Sequence, residues 1–120
     1  MKALVIEQID VSTSESKVKR FAAGKNAEVK VWFNRELTEG EGKRAKEVAE
    51  SVLAPGENES VSVGSAFATF YVRDGGPVER FVEIVKSDGS KWDDEVSQEL
   101  KRAEADLEAL ESSLRAFVKQ

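Results

Sequence analysis

The sequence predicts an α+β domain: an antiparallel sheet of four or five strands with one amphipathic helix and a long C-terminal helix, in the order ββ-α-ββ-α. Three observations predict it. In Lys91–Gln120, apolar residues stand at Val96, Leu100, Ala103, Leu107, Leu110, Leu114 and Phe117 in alternating steps of four and three. That spacing averages about 3.5 residues, the period of a coiled-coil seam. Thr38 and Glu41 form a capping-box pattern ahead of a helical stripe of Ala45, Val48, Ala49, Val52 and Leu53. Segments 2–11, 27–33 and 61–73 alternate with the period of two expected of strands.

Taken in order, Lys2–Val11 places Ala3, Val5, Ile9 and Val11 on one side and Leu4 and Ile6 on the other. This is the pattern of a strand that starts inside the sheet and reaches an edge by Asp10. Lys17–Phe21 fits either a short helical turn closed by Gly24 or the outgoing arm of a hairpin. The hairpin is favoured because Ala27–Phe33 is a clear returning strand, with Val29, Val31 and Phe33 inward and Trp32 outward. The Thr38 helix is expected to end at Pro55-Gly56, because proline disfavours helical geometry in the residue before it. Val61–Arg73 reads as one long strand bent at Gly64. Asp74-Gly75-Gly76-Pro77 reads as a hairpin turn. Val78–Lys86 fits a helix through Val78, Phe81, Val82 and Val85, yet its β-branched content and the preceding glycine turn favour a strand. Ser90 and Asp93 resemble a second capping box, which would start the long helix.

A chain of 120 residues, 40% hydrophobic and 34% charged, is expected to form a single domain over 1–120, with 90–119 a helix able to extend from it. Such a helix is about 45 Å long, more than a small domain is wide. The apolar run Ala3–Ile6 is too short for a signal core and no segment reaches bilayer length, so a cytoplasmic protein with no membrane association is expected.

Composition also narrows the chemistry. With no cysteine and no histidine, the usual thiol nucleophile, general base and transition-metal ligands have no occupant. Glu39-Gly40-Glu41-Gly42-Lys43-Arg44 is not a P-loop: Leu37 stands where a glycine is required, and Arg44 follows the lysine. Asp88, Ser90, Asp93, Asp94 and Glu95 miss the calcium-loop spacing and suit the positive end of a helix dipole. No catalytic site, cofactor or metal is expected, and the chain reads as a non-enzyme.

Binding is the remaining class. The net charge is −5, yet residues 1–35 carry seven Lys/Arg against four Asp/Glu. From Asp93 to Glu111 there are eight acids, with only Lys101 and Arg102 as cations. In heptads, Leu100, Leu107 and Leu114 take the a sites, and Val96, Ala103, Leu110 and Phe117 the d sites. Glu99, Glu104, Asp106 and Glu111 flank them at e and g. A parallel homodimer would bring these acids together, whereas an antiparallel pair sets the acidic half against the Arg115/Lys119 end. The expected partner surface is therefore Glu99, Leu100, Glu104, Asp106, Leu107, Leu110, Glu111 and Leu114. The partner is a protein or a second copy, antiparallel rather than parallel. Small size, acidity and the lack of a site would suit an inhibitor or accessory factor of a nucleic-acid-handling complex, of the phage or mobile-element type. The alternative is a single-strand nucleic-acid-binding hairpin using Lys17, Lys19, Arg20, Lys25, Lys30, Trp32 and Arg35: lysines to follow a backbone and an aromatic for a base to stack on.

Overall fold

The computed structural model describes residues 3–54 and 58–119. Its elements run β1 (Ile6–Val11), α1 (Glu15–Ala22), β2 (Ala27–Phe33), α2 (Glu39–Ser51), β3 (Ser60–Val63), β4 (Phe67–Val72), α3 (Gly76–Asp88), a 3-10 turn (Gly89–Lys91) and α4 (Trp92–Val118). The four strands form one antiparallel sheet in the order β1-β2-β4-β3. The α+β class, the antiparallel sheet and the long C-terminal helix agree with expectation. Several segments differ.

Residues 17–22 are helical, not the arm of a hairpin. Val18 and Phe21, three apart, suit a helix, and Glu15 pairs with Lys19 one turn on at 3.0 Å. Gly24, with φ +90°, ends the helix: its N–H donates to Phe21 C=O at 3.0 Å, and Lys25 N–H to Arg20 C=O at 3.0 Å. That doubled closure needs a left-handed residue after the cap, where glycine bears no Cβ penalty. Residues 61–73 form two strands rather than one. Gly64 is their turn: its N–H donates to Phe67 C=O at 2.7 Å, and a Cβ there would lie 2.8 Å from the Phe67 ring.

Val78–Lys86 is helix α3, not a strand. Asp74 Oδ1 accepts from Gly76 N–H at 2.8 Å, and Pro77 sits in the first turn, where its missing N–H has no helical partner to lose. Burial decides against the β-branched propensity. Val78, Phe81 and Val85 all point into the core, a face that a strand would split between two sides. The 74–77 stretch is therefore a helix entry instead of a hairpin turn. Ser90 and Asp93 make no capping box either, because α3 leads through the 3-10 turn straight into α4, which begins at Trp92.

β1 is an edge strand along its whole length rather than an inner strand at its start. A register irregularity between Ile6 and Gln8 also changes which residues share a face: Ile6, Ile9 and Val11 pair with Phe33, Val31 and Val29 on the core side. Lys2, expected to open this strand, and Pro55-Gly56, expected to end α2, lie outside the described residues. Among the described residues α2 ends at Ser51.

The core fills one side of the sheet. Val29, Val31 and Phe33 of β2 and Ala68, Phe70 and Val72 of β4 meet Ala45, Ala49 and Val52 of α2, Val78, Phe81 and Val85 of α3, and Trp92. Phe81 lies edge-on to Phe70 (centroids 5.2 Å apart) and to Phe33 (6.2 Å). Each such buried aromatic contributes about 1.5–3 kcal/mol by area alone. The opposite, open side has no core of its own and carries Lys30, Trp32, Phe67 and Tyr71, all half-buried, with Thr69 buried beside Lys30. Trp32 is outward as expected, 5.0 Å from Phe67, and Lys30 Nζ lies 4.6 Å from the Phe67 ring centre.

Candidate docking helix

Helix α4 has a root and a rod. The root is fixed to α2, whose N-terminus is built as expected: Glu41 N–H donates to Thr38 Oγ1 at 3.1 Å, and Thr38 N–H to Glu41 Oε1 at 2.9 Å. The same Glu41 carboxylate takes both arms of Arg35, at 2.7 and 2.8 Å. These bonds, Arg35 first, hold its carboxyl below the usual glutamate range although burial opposes them. Glu41 is thus a structural anion within the head.

Thr38 also reaches α4, its hydroxyl donating to Asp93 Oδ1 at 2.8 Å. Arg44 pairs with Glu47 on its own helix and with Glu99 on α4. Gly40 lets the helices close up, since a Cβ there would stand 3.0 Å from Asp93 Oδ1 and 3.4 Å from Val96 Cβ. Trp92 and Val96 are buried at this junction. Thr38→Ala removes the cap and the tie to Asp93 together. It should lower stability by about 1–2 kcal/mol, at the upper end of cap losses, measurable by urea denaturation. A change below about 0.3 kcal/mol would show that neither bond matters.

Beyond Val96 the covering stops. From Ser97 to Lys119 every described residue of α4 is exposed. The projecting part, Ser97–Val118, is about 33 Å long. The molecule measures 70 × 35 × 20 Å with a radius of gyration of 19.4 Å, against about 14 Å for a compact chain of this length. The seam residues Leu100, Leu107, Leu110, Leu114 and Phe117 are 54–75% exposed. None packs on the sheet. Glu99, Glu104, Asp106 and Glu111 flank them, Glu111 pairing with Arg115 one turn on. Where α4 leaves the head, a groove of about 550 Å³ is lined by Glu39, Gly40, Lys43, Asp93, Val96, Ser97 and Leu100.

The cations of the alternative nucleic-acid surface do not converge. Lys17, Lys19 and Arg20 are on α1, with Lys17 3.8 Å from Glu28 and Lys19 paired to Glu15. Lys25 follows α1, and Lys30 and Trp32 are on the open side of β2. Arg35 lies past the far end of that strand, about 25–30 Å from Lys25, and is bound to Glu41. Sequence reasoning missed the root: the Thr38–Asp93 and Arg44–Glu99 links span more than fifty residues and leave no local pattern. It also missed Phe67 beside Trp32, because the single-strand reading of 61–73 hid the pairing of β2 with β4.

Among the described residues no helix is long and apolar enough to cross a membrane, and no group of three or more acids is placed to hold a metal ion. Comparison with known proteins finds no matching family, no matching curated protein and no matching solved structure.

Proposed function

We propose that the protein is a non-catalytic binding protein whose head presents α4 for docking along its apolar seam. One observation carries this reading: an apolar stripe on a rod that no part of its own head covers. An isolated helix is marginal in water, and most helical stability comes from packing an apolar face. Each leucine that leaves water contributes about 1.5–3 kcal/mol, so covering the seam is the largest favourable change open to the surface. The flanking acids select partners by charge and disfavour parallel pairing.

The test is a double variant, Leu107→Ser with Leu110→Ser, both on the exposed rod. It should abolish association, whether read as native mass or as retention of a protein from lysate, while the unfolding of the monomeric head, compared at concentrations too low for association, stays unchanged. Unchanged mass and unchanged retention would refute docking through α4. The nucleic-acid reading draws support from the Trp32–Phe67 pair with Lys30 on the open side of the sheet, a place where a base can stack. It requires salt-sensitive retention on single-stranded DNA that Trp32→Ala abolishes; no retention of the wild type at low salt ends it.

A further inference from the structure

We infer that the partner covering α4 is a second copy of this chain, antiparallel, with the tip of each rod seated in the groove at the root of the other. This rests on the docking reading above and gives it an occupant and a register.

The register follows from where the seam is already covered. At Val96 the seam is buried under α2, and it emerges at Leu100 beside the groove. In an antiparallel pair, a sites pack against d sites of the opposite helix. Setting Leu100 against Phe117 of the second copy brings Ala103 to Leu114 and Leu107 to Leu110, and the two-fold axis repeats each layer. Every seam residue from Leu100 to Phe117 is then covered, a small Ala103 facing a large Leu114. A shift of one heptad towards the head would press Phe117 onto Asp93, while the opposite shift leaves Leu100 and Ala103 bare. The chosen register brings the end of one rod to the groove at the root of the other, so that the second copy takes over where α2 stops. Lys43, exposed on the groove wall, then stands near the last-turn carbonyls of the incoming helix, the negative end of its dipole, with Glu39 on the same wall and Asp93 held by the Thr38 hydroxyl.

Charge agrees with this orientation. A parallel pair would set Glu99 against Glu104 and Asp106 against Glu111, acid on acid at each step. The antiparallel register places Asp106 opposite Ser113 and leaves only Glu104 against Glu111. Arg115, already paired with Glu111, lies within about 3 Å along the axis of the level of Glu104 in the second copy. That cation is therefore shared between both acids.

The chain has no cysteine, so single cysteines report the geometry directly. Ala103→Cys and Leu114→Cys would be made as separate proteins, mixed and oxidised, alongside Leu100→Cys mixed with Phe117→Cys. The expected result is a disulfide-linked dimer only when the two members of a pair are mixed, and a wild-type native mass of twice 13.2 kDa by sedimentation. Cross-linking of each variant with itself would show a parallel pair and overturn the proposal. A dimer that cross-links in neither mixture would overturn this register, and if the Leu107/Leu110 double variant also kept the dimer mass, the contact would lie outside α4 and the docking reading would fall with it. A monomer at all concentrations up to about 100 μM, weaker than ordinary specific association, would overturn self-pairing alone. Docking would then still be judged by whether retention of a lysate protein is lost in the Leu107/Leu110 double variant.

Discussion

Trp92→Ala is expected to destabilise the head by about 3–5 kcal/mol, the range for deleting a fully buried large aromatic. Trp92 is 1% exposed, the largest fully buried side chain among the described residues, and it is the first residue of α4. It belongs to the same apolar cluster as Phe81, Val85 and Leu4, so α3, the chain ahead of β1 and the root of the rod share one core. Domains of this size are held by about 5–15 kcal/mol in total, so the loss would be a large share of the whole. Urea denaturation followed by far-ultraviolet circular dichroism would measure it. A loss under about 1 kcal/mol would mean that the root of α4 stands outside the cooperative unit. Substitution of Leu107, on the rod, should leave the unfolding of the monomeric head unchanged, because nothing in the head touches it.

Glu41→Gln should cost about 3 kcal/mol at pH 7, the lower end for removing one partner of a buried ion pair. Glu41 is buried, while the Arg35 side chain keeps 18% of its surface in water, which softens the loss. The pH dependence has a definite sign. The folded carboxyl titrates below its unfolded value of about 4.3, because Arg35 and the Thr38 N–H favour its charged form. Its contribution is therefore complete above about pH 4.3 and disappears as the pH falls through the lower folded value. The stability gap between wild type and Glu41→Gln should be widest at neutral pH and close progressively below pH 4. A gap that persists unchanged at acid pH would show that the carboxylate charge is not what Arg35 needs.

What could be read in the sequence was what is written in short range. The Thr38–Glu41 box, the α2 stripe and the α4 seam each repeat within a turn or two, and each appears where expected. The misreadings fall where two periods fit the same letters. Val78–Lys86 satisfies both strand and helix, and the decision came from Phe81 packing between Phe70 and Phe33, which no local pattern encodes. At 17–22 the deciding residue was Gly24: its left-handed φ closes a helix, whereas a glycine in sequence serves a hairpin equally well. The bulge between Ile6 and Gln8 reversed the faces of β1, since a single slip inverts a period of two. Of the expected partner surface, the helix length foretold that part of the seam would stand clear of the domain, but not that Leu100, Leu107, Leu110 and Leu114 would all be exposed. A sheet long enough to lie under the rod would have accounted for the same stripe.

The elongated shape has a hydrodynamic consequence. Drag depends on length as well as mass, so a 70 Å particle diffuses more slowly and leaves a gel-filtration column earlier than a sphere of the same 13.2 kDa. A single copy will therefore elute like a heavier globular protein. Trimming the rod should delay elution by more than the mass removed accounts for. Copies must be counted by scattering or sedimentation equilibrium, where shape drops out, and the excess friction of the monomer becomes a direct reading of how far α4 stands clear of its head.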